Sequence, residues 1–587
     1  MNLTLDQKRA FEKLKEFAVS NSYNCFLLKG YAGSGKTTLL SLFVNYLEQN
    51  NISFRILAPT GKAGSILREK TGCSVQTIHK AIYDFDRIEI EEIKQTENKE
   101  NSKNSEHSEG SEDDVVFFLH FKIKQKKPDD IVNIYIVDES SLISDQDQGN
   151  SFLRFGSGKL LSDLLSFVEG SKIVFCGDHA QLPPISMNYS PALDEEYLRR
   201  NYGLRVISSE LKEIVRTDSK NYIYNFSLAI RNSIEQKVFN KLSIDENRKL
   251  SNELLVSELK RFYSIGKKFD DTIIIAHSNR QVQEYNFMVK RILNTNNKIS
   301  DYEILPGDKL IVYKNYYSDD LTLLNGQSVE VVQILNREVI KTSEKEEVTY
   351  LDCQLKYYDY EMEGERVFKA KILNDYVYSP EPELDRKLYN KVFRAVLIKN
   401  LEFREVFNEL KKTLREMKTS KTEKLVVLRD RYIALKLQIS RILRDNEYFN
   451  PLLVKFGYAI TCHKAQGSEW DNVIIDMKTL NLVPRNEQYF RWLYTAVTRA
   501  KKEVYFINSV DINPFRGMRI GEVKIQKIRE NGNRECNLEL FPNRTKMAVY
   551  SLKEYGFKVL GVYNFQYMER FLFEYNSKKM QIDLYYN

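Results

Sequence analysis

Cysteine is scarce in this chain: six in 587 residues, at positions 25, 73, 176, 353, 462 and 536, with no two close together. That spacing suggests neither a zinc site nor a disulfide framework, and a reducing cytoplasm is the expected setting. No uncharged apolar run approaches the roughly 20 residues of a membrane helix. The opening Met-Asn-Leu-Thr-Leu-Asp-Gln has neither the basic nor the apolar part of a signal peptide. Net charge is modest at +7. Residues 96–114, TENKENSKNSEHSEGSEDD, hold seven acids against two lysines, a local charge of −5 that leaves +12 for the rest. A moderately basic body can track a phosphate backbone, although composition alone fits an ordinary soluble protein equally well.

Hydrophobic residues make up 42% and charged residues 29%, which suits soluble globular structure. The length implies about three to five domains. The polar stretch 96–114 is expected to be disordered, because it cannot bury enough apolar surface to offset its ordering entropy. Short apolar runs at 25–29, 54–58, 134–137, 172–176, 272–276, 472–476 and 504–507 read as buried parallel strands. Helical segments separate many of them, so the class is α/β. Two sheet groups emerge, one up to about residue 210 and one split between about 216–300 and 455–510.

Residues 303–378 alternate β-type runs with turn signals, including GDKLIVYKN and NGQSVEVVQI, and read as a small antiparallel barrel. Residues 384–443 carry apolar positions at helical spacing, broken at Thr419-Ser420-Lys421-Thr422. They read as a pair of long helices, an antiparallel hairpin whose apolar stripe packs a core.

Residues 30–37 spell Gly-Tyr-Ala-Gly-Ser-Gly-Lys-Thr between an expected strand and an apolar helix. That is the phosphate-loop pattern in its required context. Glycines let backbone N–H groups turn toward phosphate oxygens, and the helix N-terminus favours the same anion. Lys36 would reach the β and γ phosphates and Thr37 would offer its hydroxyl to Mg²⁺. The run 134–137 ends in Asp138-Glu139, placing two acids at a strand end. Asp138 would hold Mg²⁺ through water and Glu139 would orient or deprotonate attacking water. The run 172–176 leads into Gly177-Asp178-His179-Ala180-Gln181-Leu182-Pro183-Pro184. There the Gln181 amide can sense a γ-phosphate, and the prolines stiffen the loop.

Taken in order, these motifs resemble superfamily 1 helicases over most of residues 1–510. The resemblance extends the nucleotide site to Gln7 as the adenine-reading glutamine, and to Gly30, Gly33, Ser34, Gly35, Lys36, Thr37 and Thr38 of the loop. It makes Arg216 the motif IV arginine facing the γ-phosphate. Ala58-Pro59-Thr60-Gly61-Lys62-Ala63 resembles motif Ia and Thr77-Ile78-His79 motif Ib, so Pro59, Thr60, Lys62, Thr77 and His79 are expected to touch the strand. Thr461-Cys462-His463-Lys464-Ala465-Gln466-Gly467-Ser468-Glu469 and Tyr494-Thr495-Ala496-Val497-Thr498-Arg499-Ala500 resemble motifs V and VI. By that likeness Thr461, His463 and Lys464 lie near the strand backbone, Gly467 and Glu469 couple it to nucleotide, and Arg499 is an arginine finger. An arginine suits that role because it stays charged and bonds two oxygens at once.

The GDxxQLPP form of the third motif, and Asn325-Gly326 in a small barrel before motif V, resemble the RecD, Dda and Pif1 group. The resemblance implies 5′-to-3′ movement on single-stranded DNA, with ATP and Mg²⁺ as cofactors and strand junctions as partners. It implies two RecA-like domains, at 1–215 and at 216–300 plus 455–510. Residues 301–454 would form a third unit holding an SH3-like barrel (303–378) and the helical insertion (384–443), similar in place to the tower of Dda-like helicases. The insert 80–131 occupies the place of the strand-separating pin, yet no two-residue hairpin turn is visible in it. Phe117, Phe118 and Phe121 are wedge or stacking candidates there, with core packing as the plainer role. Residues 511–587 lie outside the resemblance. Their aromatics, interleaved with Lys and Arg, fit the core of a small α/β domain or a surface that stacks single strands. A translocase without strand separation, a nucleotide-switched subunit of a larger repair or defence complex, and an RNA motor share these motifs.

Overall fold

The computed structural model describes residues 3–92, 115–126, 131–147, 153–213, 221–263, 271–293, 303–318, 321–359, 364–419, 422–444, 446–479 and 486–512. It also describes 553, 556–565, 568–575 and 578–585. The expected disordered stretch 96–114 and Arg216 lie outside them. Two parallel sheets organise the chain. The first has six strands, in the order Val75–Thr77, Phe54–Ala58, Ile134–Val137, Lys172–Gly177, Cys25–Gly30 and Val206–Leu211. Every pairing within it is parallel. The second has five, in the order Lys249–Leu250, Ala500–Ile507, Trp470–Asp476, Thr272–Ala276 and Ala459–Thr461, again all parallel. Each inner strand is a near-continuous apolar run because helices cover both faces. The architecture is that of two RecA-like α/β domains.

The strand order places the ends of Cys25–Gly30, Ile134–Val137 and Lys172–Gly177 side by side on one edge of the first sheet. Loops leaving carboxyl ends at such a crossover are where an open α/β sheet builds its site.

A five-stranded antiparallel sheet follows, ordered Gly364–Leu373, Glu347–Asp359, Ser328–Lys341, Lys309–Val312 and Val454–Phe456. Its end strands approach through a bridge between Ile372 and Leu452, so the sheet curls toward closure. The last strand comes from beyond the helical insertion, a long-range pairing that a reading confined to 303–378 does not supply. Lys290 and Asp308 fix this unit to the second domain through a buried 2.7 Å ion pair, with the Tyr458 hydroxyl 3.1 Å from the same carboxylate.

The helical insertion has three helices where the sequence suggested two: Arg386–Lys399, Leu401–Thr419 and Thr422–Arg444. Asn400 makes the extra break. Its side chain accepts the Phe403 N–H at 2.8 Å, capping the second helix as the first ends. Contacts of Glu409 with Arg431 and of Glu402 with Gln438 run in antiparallel register between the second and third helices.

The insert at 80–131 holds paired strands that the sequence reading did not place. Tyr83–Glu92 and Val115–Ile123 pair antiparallel along their length, so a hairpin is present. The segment joining them is far too long for a two-residue turn, which is why no turn signal marks it. Leu153–Phe155 adds a third, parallel strand. The helix Thr422–Arg444 packs against the first hairpin strand, bringing Tyr432 and Lys436 near Glu89.

At the C-terminal end, Asp511 and Ile512 belong to the second domain. Ile512 bridges Leu242, and Asp511 binds Lys249 and the Ile244 N–H. Farther on, Lys558–Phe565, Met568–Tyr575 and Lys578–Tyr585 form an antiparallel meander; most of the rest of the small α/β unit expected there lies outside the described residues. Phe571 and Phe573 are buried in it, a core role for at least these two aromatics. Among the described residues no helix is long and apolar enough to cross a membrane.

Candidate nucleotide and strand sites

The loop after Cys25–Gly30 turns through two positive-φ glycines, Gly33 at 79° and Gly35 at 82°, a conformation most side chains resist. A Cβ on Gly30 would lie 2.7 Å from Ser34 Oγ, so the loop also needs that glycine for space. Lys36 folds back over the loop and donates to the carbonyls of Gly30 at 2.7 Å and Tyr31 at 3.0 Å. The ammonium is thus held over the cradle by two neutral acceptors, with a third proton left for a phosphate oxygen.

Glu139 sits in the left-handed region at φ 50°, and its N–H donates to Asp138 Oδ1 at 2.9 Å. Burial raises its carboxyl pKa and Asp138 adds to the rise, while Arg499 and Lys36 pull it back. Arg499, from the second domain, thus acts electrostatically on a first-domain acid. Arg499 is itself buried, with Nε donating to Thr495 O at 3.0 Å and Nη2 to Thr498 Oγ1 at 3.1 Å.

One cavity of about 320 Å³ is lined by Gln7, Gly33, Gly35, Lys36, Thr37 and Thr38, by Asp138, Glu139 and Gln181, and by Gly467, Glu469 and Arg499 across the cleft. Gly30 and Ser34 do not line it. Gln7 is already engaged: its amide oxygen accepts the Thr4 N–H and its nitrogen donates to Ser34 O, each at 3.0 Å. It therefore shapes the loop as well as facing the cavity. Gln181 donates to Asp178 Oδ2 at 3.2 Å and leaves its oxygen unpartnered. Gly467 has φ 72°, and a Cβ there would come within 3.1 Å of Ala63 Cβ, so the domains touch closely at this point.

A second cavity, of about 700 Å³, runs between the domains beside the first. Pro59, Thr60, Lys62 and His79 line it from one domain, His463 and Lys464 from the other. Thr77 and Thr461 do not. The Thr77 hydroxyl caps the helix Ile78–Ile82 by accepting the Lys80 N–H at 3.3 Å, and Thr461 pairs with Ala276 in the second sheet. Lys464 lies 3.2 Å from the centre of the Tyr313 ring, and burial together with Lys455 lowers its pKa to about 7. His463 is pushed down to about 4, chiefly by burial and also by nearby His277.

The family described as the AAA domain matches residues 2–247, and the UvrD-like helicase C-terminal domain matches 456–507. The first spans the phosphate loop through the GDHAQLPP motif, the second both later motifs. By sequence the chain is similar to RecD-like helicases of superfamily 1.

Several known proteins are similar to the chain at low identity. The uncharacterized protein R530 of Acanthamoeba polyphaga mimivirus is 23% identical over 85% of the chain and 99% of its own length. The RecBCD enzyme subunit RecD of Buchnera aphidicola subsp. Schizaphis graminum is 23% identical over 83% of the chain and 71% of its own. Pif1 helicase from Bacteroides in complex with ADP-AlF3 and ssDNA aligns over 88% of the chain and 94% of its own, at 15% identity and a TM-score of 0.38. Pif1 helicase from Candida albicans aligns over 87% and 96%, at 13% identity and the same TM-score.

Hydrogen bonds across the cleft join the two cavities. Tyr494 donates to Asp178 Oδ2 at 3.0 Å and accepts the Ala32 N–H at 3.2 Å. Thr495 Oγ1 accepts the Leu182 N–H at 2.9 Å, and Gln466 donates to Leu182 O at 3.1 Å. The GDHAQLPP loop is thereby gripped by both second-domain motifs.

Sequence reasoning missed several channel residues. Arg154 and Phe155 come from the short strand beside the hairpin, Tyr83 from its start, Ile185 from just past the paired prolines, and Trp470 from just past motif V. Lys62 sits over the Trp470 ring at 4.8 Å. Phe155 stacks on Phe121 at 4.6 Å and meets His79 edge-on at 5.0 Å, while Arg154 lies 3.9 Å from the Phe118 ring. Phe121 and Phe118 thus pack beneath channel residues. The Phe117 side chain lies outside the described residues. One signal was available: Ile185 is an apolar residue directly after a rigid Pro-Pro step, and it is 67% exposed.

Proposed function

We infer that this chain is an ATP-driven motor that moves 5′ to 3′ on single-stranded DNA and separates duplex strands. The observation that carries this reading is the shared cavity. Lys36, Thr37, Asp138, Glu139 and Gln181 face it from one domain, and Gly467, Glu469 and Arg499 from the other, with the strand channel alongside. A nucleotide there would be held by both halves, so its hydrolysis changes how the halves are joined.

Lys36 keeps its bonds to the Gly30 and Tyr31 carbonyls and turns its third ammonium proton to the phosphate oxygens it neutralises. Thr37 and Asp138 both line the cavity and would offer the hard oxygen donors that Mg²⁺ takes beside a triphosphate. Glu139, with its raised pKa, accepts a proton from water attacking the γ-phosphorus, and Gln181 orients that water through its free amide oxygen. Arg499 stabilises the charge that develops, and Arg216 is assigned a similar role by resemblance alone. Loss of the phosphate contacts frees Arg499 and allows the cleft to open. Pro59, Thr60, Lys62 and His79 on one side and His463 and Lys464 on the other grip the strand alternately, largely through its backbone. Aromatic residues beside them suit stacking that tolerates sequence.

The antiparallel hairpin supports strand separation over simple translocation, since it supplies the element whose turn signal was missing. Polarity and a DNA rather than RNA substrate rest on resemblance to the RecD and Pif1 group, as do a cytoplasmic setting and a part in repair or recombination. The test is ATP hydrolysis with and without single-stranded DNA and single-stranded RNA. Stimulation by DNA, absent in Lys36→Ala, is the expected result. Stimulation by RNA alone redirects the substrate, and an unstimulated rate removes the motor reading.

A further inference from the structure

The phosphate loop needs its backbone and three glycines, yet its second residue is a tyrosine whose side chain serves no phosphate. Tyr31 is 1% exposed and packs in the second domain's apolar cluster with Ile223, Phe226 and Ile230. Its hydroxyl hydrogen-bonds Glu235 and lies 3.4 Å from Glu210. Burial and these carboxylates push its pKa up, so the hydroxyl remains a donor. The Arg231 guanidinium lies 4.2 Å from the ring centre. Its Nε is 3.8 Å from Glu235, and among the described residues Nε and Nη1 have no hydrogen-bond partner. Arg231 and Glu235 share the helix Tyr222–Gln236, which packs on the second sheet through Phe226 and Phe506.

The same residue touches the chemistry through its main chain. Tyr31 O accepts from Lys36 Nζ at 3.0 Å, and the next N–H, of Ala32, donates to Asp178 at 2.9 Å. One residue therefore meets Lys36 by its carbonyl and the second domain by its ring and hydroxyl. A desolvated guanidinium over an aromatic face is held by the ring quadrupole, and a short lever of this kind transmits displacement because packed side chains do not compress.

We propose that Tyr31 and Arg231 are positioning residues that transmit domain closure to the phosphate loop, setting Lys36 for hydrolysis when the strand channel is filled. The proposal rests on the motor reading above. It differs from a structural role in what it predicts. Nucleotide affinity depends on the cradle, which the pair leaves intact, whereas the stimulated rate depends on closure reaching Lys36.

The experiment measures kcat and KM for ATP at saturating single-stranded DNA in Tyr31→Phe, Arg231→Met and Arg231→Lys. Tyr31→Phe removes a single hydroxyl, so it keeps the test open if Arg231→Met does not fold. In Tyr31→Phe and Arg231→Met, kcat falls about tenfold while KM moves less than about threefold. Arg231→Lys, which keeps a cation over the ring, retains at least half of kcat. The proposal is overturned if either loss variant keeps the full rate, if KM rises with kcat unchanged, or if Arg231→Lys is as impaired as Arg231→Met. A second readout uses dyes on exposed Asn50 and Lys260, one per domain, and follows the distance change on adding a non-hydrolysable ATP analogue. If DNA does not stimulate the unaltered protein, the motor reading fails and this readout alone judges the pair. An unchanged distance response in both loss variants overturns the proposal, and a response diminished in both supports it.

Discussion

Tyr494 donates its hydroxyl to Asp178 Oδ2 at 3.0 Å across the cleft between the two parallel-sheet domains. The same carboxylate oxygen accepts from the Ala32 N–H at 2.9 Å and the Gln181 amide at 3.2 Å. With the Ala180 N–H at 2.9 Å on Oδ1, this buried carboxylate takes four donors, and among them only Tyr494 comes from the second domain, so its hydroxyl is the joint across the cleft. Tyr494→Phe is expected to cost about 1.5–3 kcal/mol in transition-state stabilisation under DNA-stimulated conditions, a hydrogen bond to a charged group. Steady-state kinetics with and without DNA checks this, with the basal rate less affected than the stimulated one.

Lys36 and Glu139 are the side chains whose loss should stop turnover while sparing the fold. Lys36 is bonded to two loop carbonyls and to no core group, and Glu139 lines the cavity. Lys36→Ala and Glu139→Gln are each expected to reduce kcat by at least about a hundredfold. Their thermal unfolding midpoints should stay within about 3 °C of the parent, measured by calorimetry.

The ion pair of Lys290 and Asp308 is expected to respond in the opposite way. Lys290 is fully buried, and its partner is only 6% exposed in its side chain. Taking the lysine away strands a buried carboxylate. Lys290→Ala should destabilise the protein by about 3–5 kcal/mol, while a paired apolar replacement of both residues should cost much less. Denaturant unfolding of the single and double variants separates the two effects.

Strand binding should take up protons. Lys464 has its pKa lowered to about 7, by burial first and Lys455 second, with Glu383 opposing them; it faces Tyr313 and lies beside His463. In the free protein it is therefore mostly neutral above pH 7. A phosphate contact favours the ammonium form and raises that pKa, so binding draws in a proton wherever the pH lies between the free and bound values. Affinity for single-stranded DNA should weaken from pH 7 to pH 9 at constant salt. Fluorescence anisotropy checks the trend, which Lys464→Met should flatten.

Legibility followed locality. The inner strands of both parallel sheets are short apolar runs, and Lys36, Asp138, Glu139 and Gln181 sit at their carboxyl ends, so pattern and chemistry coincided within a few residues. Gly467, Glu469 and Arg499 were legible as motifs. Their meeting with the first domain's acids depends on the packing of two separate sheets, and only the structure brings them into one cavity. The hairpin Tyr83–Glu92 with Val115–Ile123 escaped because its strands lack a short turn between them. Val454–Phe456 escaped as a barrel strand because it pairs with Lys309–Val312 across the whole helical insertion. Tyr83, Arg154 and Phe155 reach the channel only through that hairpin sheet, and no spacing in the sequence announces it.

The central claim is directional strand separation fuelled in the interdomain cleft. Its most direct test is unwinding of duplexes carrying either a 5′ or a 3′ single-stranded tail, with ATP and Mg²⁺, read as release of the labelled strand. Release from the 5′-tailed duplex alone, lost in Lys36→Ala, is the predicted result. Release only from the 3′-tailed duplex, or equal release by Lys36→Ala, would contradict it.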